Sequence, residues 1–226
     1  MEKTYLISGI DTGIGKTVAT GLMARCLAMR GIDAITVKMV QTGNDGFSED
    51  LDAHRALSGV PRFPEDDLGL TAPQIFKFPS SPLLAAELEG KTVDLAKIAE
   101  AVRICSSKHA VTLVESAGGL DVPLTANTLT ADFAAEQGWP TVLVTCGRLG
   151  AINHALLSLD AAKMRGIKVA GVVHNTRFST DPRLDADAQN AILRHLKRLG
   201  YPPVLVPMPG IDAASAPDID FSEIFA

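Results

Sequence analysis

Residues 9–17, Gly9-Ile10-Asp11-Thr12-Gly13-Ile14-Gly15-Lys16-Thr17, constrain the fold of this chain more than any other stretch. The apolar run Thr4–Ser8 leads into them. An amphipathic run follows, with Val18, Leu22, Met23, Cys26 and Leu27 on one face. Strand, glycine-rich turn and helix is the context of a phosphate-binding loop. Glycines let backbone wrap closely and aim its N–H groups inward. Lys16 adds a point charge at the outer phosphates, the helix N-terminus adds its dipole, and the Thr17 hydroxyl is placed to ligate Mg²⁺. The usual spacing puts the first glycine at position 10, which here is Ile10; Gly9 stands instead, so the loop is one residue longer.

The rest of the chain alternates strand and helix signals. A helix is predicted from Lys16 to about Met29, with Gly31 as its C-terminal cap, and Gly138, Gly166 and Gly200 close later helical patterns in the same way. Between them lie short, nearly continuous apolar runs at Ala34–Val40, Val111–Glu115, Thr141–Thr145, Val169–Asn175 and Val204–Pro207. Such runs suit strands buried on both faces of a parallel sheet, hence a three-layer α/β fold. Ligands of such sheets sit at the carboxyl ends of the strands.

Composition narrows the classes. With 226 residues, 46% of them hydrophobic, the chain can build one sizeable core, so residues 1–226 read as one domain. A net charge of −5 weighs against undirected binding to nucleic acid. Cys26, Cys105 and Cys146 are far apart and form no Cys-x-x-Cys pair, which suggests a reducing compartment. No long apolar stretch precedes the loop and no window suits a bilayer, so neither a signal peptide nor a membrane span is expected and the cytoplasm is the expected location.

The strand ends carry the candidate site. Lys38 closes the second strand, and it reads equally as a crevice cation or as a lysine snorkelling at the sheet rim. Residues 44–67 are polar and turn-rich and read as a mobile stretch in which Glu49 and Asp50 form a solvated helix start. Ser81 reads as the start of a short helix, and Asp94 as the N-cap of one over Leu95–Ser107. Glu115 ends the third strand and can reach a Mg²⁺ held by Thr17; Ser116, Ala117, Gly118 and Gly119 after it let backbone approach a phosphate or substrate. Asn153, near a helix start, reads as an N-cap, and His154 as structural. His54, His109 and His195 show no metal-site spacing. Asn175 ends the fifth strand, where its amide can pair with a purine edge, and Pro207-Met208-Pro209-Gly210 can wall a base pocket. Residues 211–226 carry no readable motif.

Taken in order, these motifs resemble the dethiobiotin synthetase family over nearly the whole chain, from Gly9 to about Gly210. The resemblance rests on the loop at 9–17, Val-Lys-x-Val-x-Thr-Gly at 37–43, Asp52-Ala53, Ser81-Pro82, Val-Glu-Ser-Ala-Gly-Gly at 114–119, Leu-Gly-x-Ile-Asn-His at 149–154, and Asn175. The lengthened loop is typical of that family. The resemblance implies a P-loop NTPase-like fold and a homodimer with its active site at the subunit interface. It also implies ATP, Mg²⁺, CO₂ or bicarbonate, and 7,8-diaminononanoate as the reacting partners. The expected reaction carbamoylates one amine, phosphorylates the carbamate from ATP, and closes a cyclic urea as the second amine expels phosphate.

By that resemblance Lys16 holds the β- and γ-phosphates, and Thr17, Asp52 and Glu115 surround Mg²⁺. Lys38 serves the transition state, Thr12 and Thr42 contact the diamine or carbamate together with Gly118, and Asn153 comes from the partner subunit. The nucleotide lies along Gly13, Ile14, Gly15 and Val18, along Ser116 and Ala117, and against Asn175 and Pro207–Pro209. The stretch that carries Asp52 varies in length, which leaves Asp50 as its alternative. Leu83 replaces a histidine common in the family, and the nucleotide contact expected beyond Gly210 has no obvious counterpart in Ala213-Ala214-Ser215. The rival reading is a nucleotide-dependent switch of the chromosome-partitioning or division-site type. Its signature lysine is Asp11 here, which counts against it.

Overall fold

The computed structural model describes residues 4–211 and 216–226. From the N-terminus, β1 (Thr4–Gly9) runs into α1 (Lys16–Met29), β2 (Ala34–Lys38) and the short β3 (Gln41–Thr42). Helices α2 (Glu49–Ser58) and α3 (Pro64–Asp67), strand β4 (Ile75–Phe76), and helices α4 (Pro82–Leu88) and α5 (Leu95–Lys108) follow. Next come β5 (Val111–Gly119), the antiparallel pair β6 (Pro123–Thr125) and β7 (Thr128–Leu129), and α6 (Thr130–Gln137). Then β8 (Thr141–Cys146), α7 (Ala151–Met164), β9 (Val169–Asn175), α8 (Pro182–Leu199) and β10 (Leu205–Met208) complete the alternation.

The central sheet has the order β10-β9-β8-β1-β5-β2, with every pair parallel. Side chains alternate across it with the two-residue period of a strand. Leu6, Val114 and Leu143 enter one core with α5, α6, α7 and α8. Tyr5, Ile7, Leu113, Val142 and Val144 enter the other with α1. Both faces are covered, which is why the strands read as continuous apolar runs. Each fully buried leucine or valine contributes about 1.5–3 kcal/mol relative to exposure.

The expected helix ends hold. Gly138 and Gly200 cap α6 and α8 in the left-handed region, and Ser81 and Asp94 cap α4 and α5 through their side chains. One expectation fails. Residues 44–67 are not a mobile loop: α2 and α3 occupy much of the stretch, and Ser48 caps α2 by accepting from the Leu51 N–H. At Gly21 the helix α1 comes so close to α2 that an added Cβ would lie 2.7 Å from the Leu57 Cβ. The unreadable C-terminal stretch is also structured, with Phe221, Ile224 and Phe225 buried in the α1-side core and the Phe225 ring edge-on to Tyr5. Residues 213–215 lie outside the described residues.

Candidate active site

The site forms where β1, β2 and β5 end. Gly15 sits at φ 101°, in the left-handed region, and opens α1 with no side chain capping it. An uncapped first turn presents backbone N–H groups to an anion. A Cβ on Gly15 would lie 2.5 Å from the Asn175 Nδ2, so sterics and backbone both require glycine there. Lys16 is buried, and its Nζ donates to the Asp11 carbonyl at 2.8 Å. Burial pushes its ammonium down to about 8. The Thr12 N–H and Arg148 hold the Asp11 carboxyl below the usual carboxylate range.

Lys38 and Glu115 are register partners on adjacent parallel strands. The Lys38 Nζ lies 2.7 Å from Glu115 Oε1 and 2.6 Å from Asp50 Oδ2. Thr17 Oγ1 donates within reach of the same two groups, 2.8 Å from Asp50 Oδ1 and 3.1 Å from Glu115 Oε1. Of the two readings open for Lys38, the crevice cation is the one realised, since the side chain is buried between two carboxylates. Burial disfavours its charge, but Glu115 and Asp50 outweigh burial and raise it. Burial likewise pushes the Glu115 carboxyl up, while Lys38 and the His54 hydrogen bond hold it far below the usual range.

Asp50, not Asp52, stands at this convergence. The Asp52 side chain is 63% exposed and lies 3.7 Å from Arg62 on the outer face of α2. The solvated helix start therefore fits Glu49, which is exposed, but not Asp50. Position within α2 decides this. The Ser48 hydroxyl donates to Gln41 Oε1 at 2.6 Å, which ties the helix start to β3 and turns Asp50 inward.

A cleft of about 690 Å³ opens over these groups. Thr12, Gly13, Gly15, Lys16, Thr17, Lys38, Thr42, Glu115, Ala117 and Gly118 line it, as do Asp50 and the Pro79–Pro82 segment. Ile14, Val18, Ser116, Asn153 and Pro207–Pro209 do not line it. Ser116 is buried and donates to the Ser8 hydroxyl. Asn153 is exposed and is not the cap of α7, which is Gly150. Asn175 is buried with its amide in use: Nδ2 donates to the Ile14 carbonyl at 2.8 Å and Oδ1 accepts from the Arg177 N–H. It braces the phosphate loop with one N–H and one lone pair of its amide. Met208 packs beneath Gly15, so the last strand supports the same loop.

The sequence reading missed His54. It is fully buried, with Nε2 2.7 Å from Glu115 Oε2 and Nδ1 3.1 Å from Thr36 Oγ1. Its signal was the pattern of inward positions 51, 54 and 58 on α2, in which a histidine takes a core place.

The donor set fits Mg²⁺. Thr17, Asp50 and Glu115 aim oxygens at one point, and an ammonium already sits between the two carboxylates. Mg²⁺ is commonly held by one or two carboxylates plus substrate phosphates, without a full protein cage.

Comparison with known proteins agrees. The AAA domain family matches residues 3–217. The ATP-dependent dethiobiotin synthetase BioD of Chlorobaculum tepidum is 47% identical over 195 residues, 86% of this chain and 82% of that protein. The ATP-dependent dethiobiotin synthetase BioD 2 of Pasteurella multocida is 41% identical over 198 residues, 88% of this chain and 93% of that protein. Among solved structures, a ParA family ATPase from Chlorobium tepidum TLS superposes with a TM-score of 0.54 at 16% identity, covering 95% of this chain and 87% of that one. The signal recognition particle receptor FtsY of Elizabethkingia anophelis gives 0.55 at 14% identity, covering all of this chain and 62% of that one. These two likenesses show the fold alone. With the fold, the phosphate loop and the relatives in agreement, the chain belongs to the ATP-dependent dethiobiotin synthetase family.

Proposed function

We infer that this protein is an ATP-dependent ligase that makes dethiobiotin from 7,8-diaminononanoate and CO₂, working as one domain in a cytoplasmic homodimer. The observation that carries the reading is the convergence of Thr17, Lys38, Asp50 and Glu115 beside the phosphate loop. The chemistry brings a carbamate oxygen to the γ-phosphorus of ATP. Both reactants are anions, so the protein's task is to gather and align negative charge.

Each side chain has a place in that task. Lys16 and the first turn of α1 hold the outer phosphates. Lys38, at the strand tip, faces the oxygens on which charge builds during phosphoryl transfer. Thr17, Asp50 and Glu115 would hold Mg²⁺, which when bound neutralises phosphate charge. Thr12, Thr42 and Gly118 line the cleft where the diamine or its carbamate would lie. The exposed Asn153 would reach the site of the partner subunit. Ring closure needs only that the second amine stand near the activated carbonyl, which is a matter of positioning.

Oxygen labelling tests the reading. If carbamate oxygen attacks phosphorus, ¹⁸O from labelled bicarbonate must appear in the released phosphate, one atom per dethiobiotin formed. Unlabelled phosphate accompanying dethiobiotin would rule out a phosphorylated carbamate.

A further inference from the structure

Glu115 is held by its two oxygens in different ways. Oε1 takes the Lys38 ammonium at 2.7 Å and the Thr17 hydroxyl at 3.1 Å, while Oε2 meets only His54 Nε2 among the contacts of the described residues, at 2.7 Å. The imidazole has no freedom of its own. Its Nδ1 lies 3.1 Å from Thr36 Oγ1, and the Arg55 Nη1 donates to that same hydroxyl at 2.6 Å. The ionised Glu115 carboxylate can only accept, so Nε2 donates, and the Thr36 hydroxyl, which accepts from Arg55, gives its own proton to Nδ1 of the neutral ring. Nδ1 is then the acceptor, and Nε2 carries the N–H that Glu115 receives. Arg55 is fixed in turn by Asp66, at 2.7 Å and 3.0 Å. An ordered chain runs from Asp66 through Arg55, Thr36 and His54 to Glu115.

We propose that His54 is a positioning residue: by donating Nε2–H to Oε2, it turns Oε1 of Glu115 toward Thr17 and the cation site. The inference rests on the reading of Glu115 as a metal ligand given above. A side chain that orients a ligating carboxylate adds affinity because the free ligand no longer has to be ordered on binding. His54 reaches neither the cleft nor the loop, so it acts only through Glu115.

The test is Mn²⁺ affinity of the full chain with ADP, read by electron paramagnetic resonance of free Mn²⁺. Three variants are needed: His54→Gln, His54→Asn and Glu115→Gln. Glutamine extends an N–H donor to the place of Nε2, whereas asparagine reaches only the place of Nδ1. His54→Asn should weaken Mn²⁺ about tenfold or more and His54→Gln should stay within about threefold of the parent, the range for groups that orient a metal ligand. Thermal melts should place both amide variants close together, because both fill a polar site with an amide. The proposal is overturned if His54→Asn binds Mn²⁺ like the parent, or if both amides weaken it equally. A loss in Glu115→Gln without one in His54→Asn sinks the positioning role alone. Parent-like Mn²⁺ affinity in Glu115→Gln sinks the metal-ligand reading itself.

Discussion

Lys38 and Glu115 stand side by side on neighbouring parallel strands, and the Lys38 ammonium lies 2.7 Å from the Glu115 carboxylate with Asp50 closing on its other side. One buried cation thus balances two carboxylates, one from β5 and one from α2. The same two carboxylates also face Thr17, so the ammonium lies beside the point where Mg²⁺ would enter.

Removing that cation has two consequences. In Lys38→Met the carboxylates are left uncompensated, which costs about 3–5 kcal/mol for a broken buried pair. Added Mg²⁺ should recover more thermal stability in this variant than in the parent. Turnover should fall by about a hundredfold or more, as for loss of one transition-state donor, while ATP still binds. Calorimetric ATP binding and steady-state turnover check both. Unimpaired turnover would remove Lys38 from the reaction.

Asp50 and Asp52 should separate cleanly. Asp50→Asn should raise the Mg²⁺ concentration for half-maximal activity about tenfold or more, the effect of disturbing a metal's surroundings. Asp52→Asn, changing an exposed side chain, should leave the Mg²⁺ titration unchanged. A shift in the Asp52 variant alone would restore the assignment read from sequence.

Gly15→Ala should disable nucleotide binding. The backbone there is left-handed, which costs alanine about 1–3 kcal/mol, and the added methyl strikes the Asn175 amide. Asn175 also holds the Ile14 carbonyl, so the whole loop shifts. Equilibrium binding of a fluorescent ATP analogue reads the loss; parent-like affinity would contradict this account of the loop.

Lys16 should destabilise the ligand-free protein that it serves. Its ammonium falls from 10.5 to about 8 on burial. The unfolded chain then binds the proton more tightly, so the penalty is complete below pH 8 and fades as pH rises toward 10.5. Lys16→Met should therefore melt higher than the parent in metal-free buffer at pH 7, by up to roughly 3 kcal/mol at about 1.4 kcal/mol per pKa unit. The gain should shrink as pH approaches 10, and ATP binding should be lost. A lower melting temperature at pH 7 would contradict the buried-charge argument.

These contrasts show what the residues alone could reveal. The loop and Lys38 were legible because one follows a strand and the other ends one, and Glu115 because it pairs with Lys38 on the next strand, close to the sheet's ligand-binding end. Asp50 and Asp52 were not separable, because residues two apart lie roughly 200° around a helix and the answer depends on where α2 begins. That start is set by Ser48 and Gln41, a contact outside the helix itself. The brace from Asn175 to the phosphate loop was not legible for a related reason: its Nδ2 donates to the Ile14 carbonyl, 161 positions away in sequence. Phe221, Ile224 and Phe225 fill the core from the far end of the chain, and no local periodicity announces such packing.

The central claim is tested most directly by phosphate release from Mg·ATP, measured with and without 7,8-diaminononanoate and bicarbonate. Release that requires both, with one dethiobiotin formed per phosphate, is the predicted result. Release at the same rate without the diamine would contradict the account and leave a nucleotide hydrolase whose site only looks like that of a ligase.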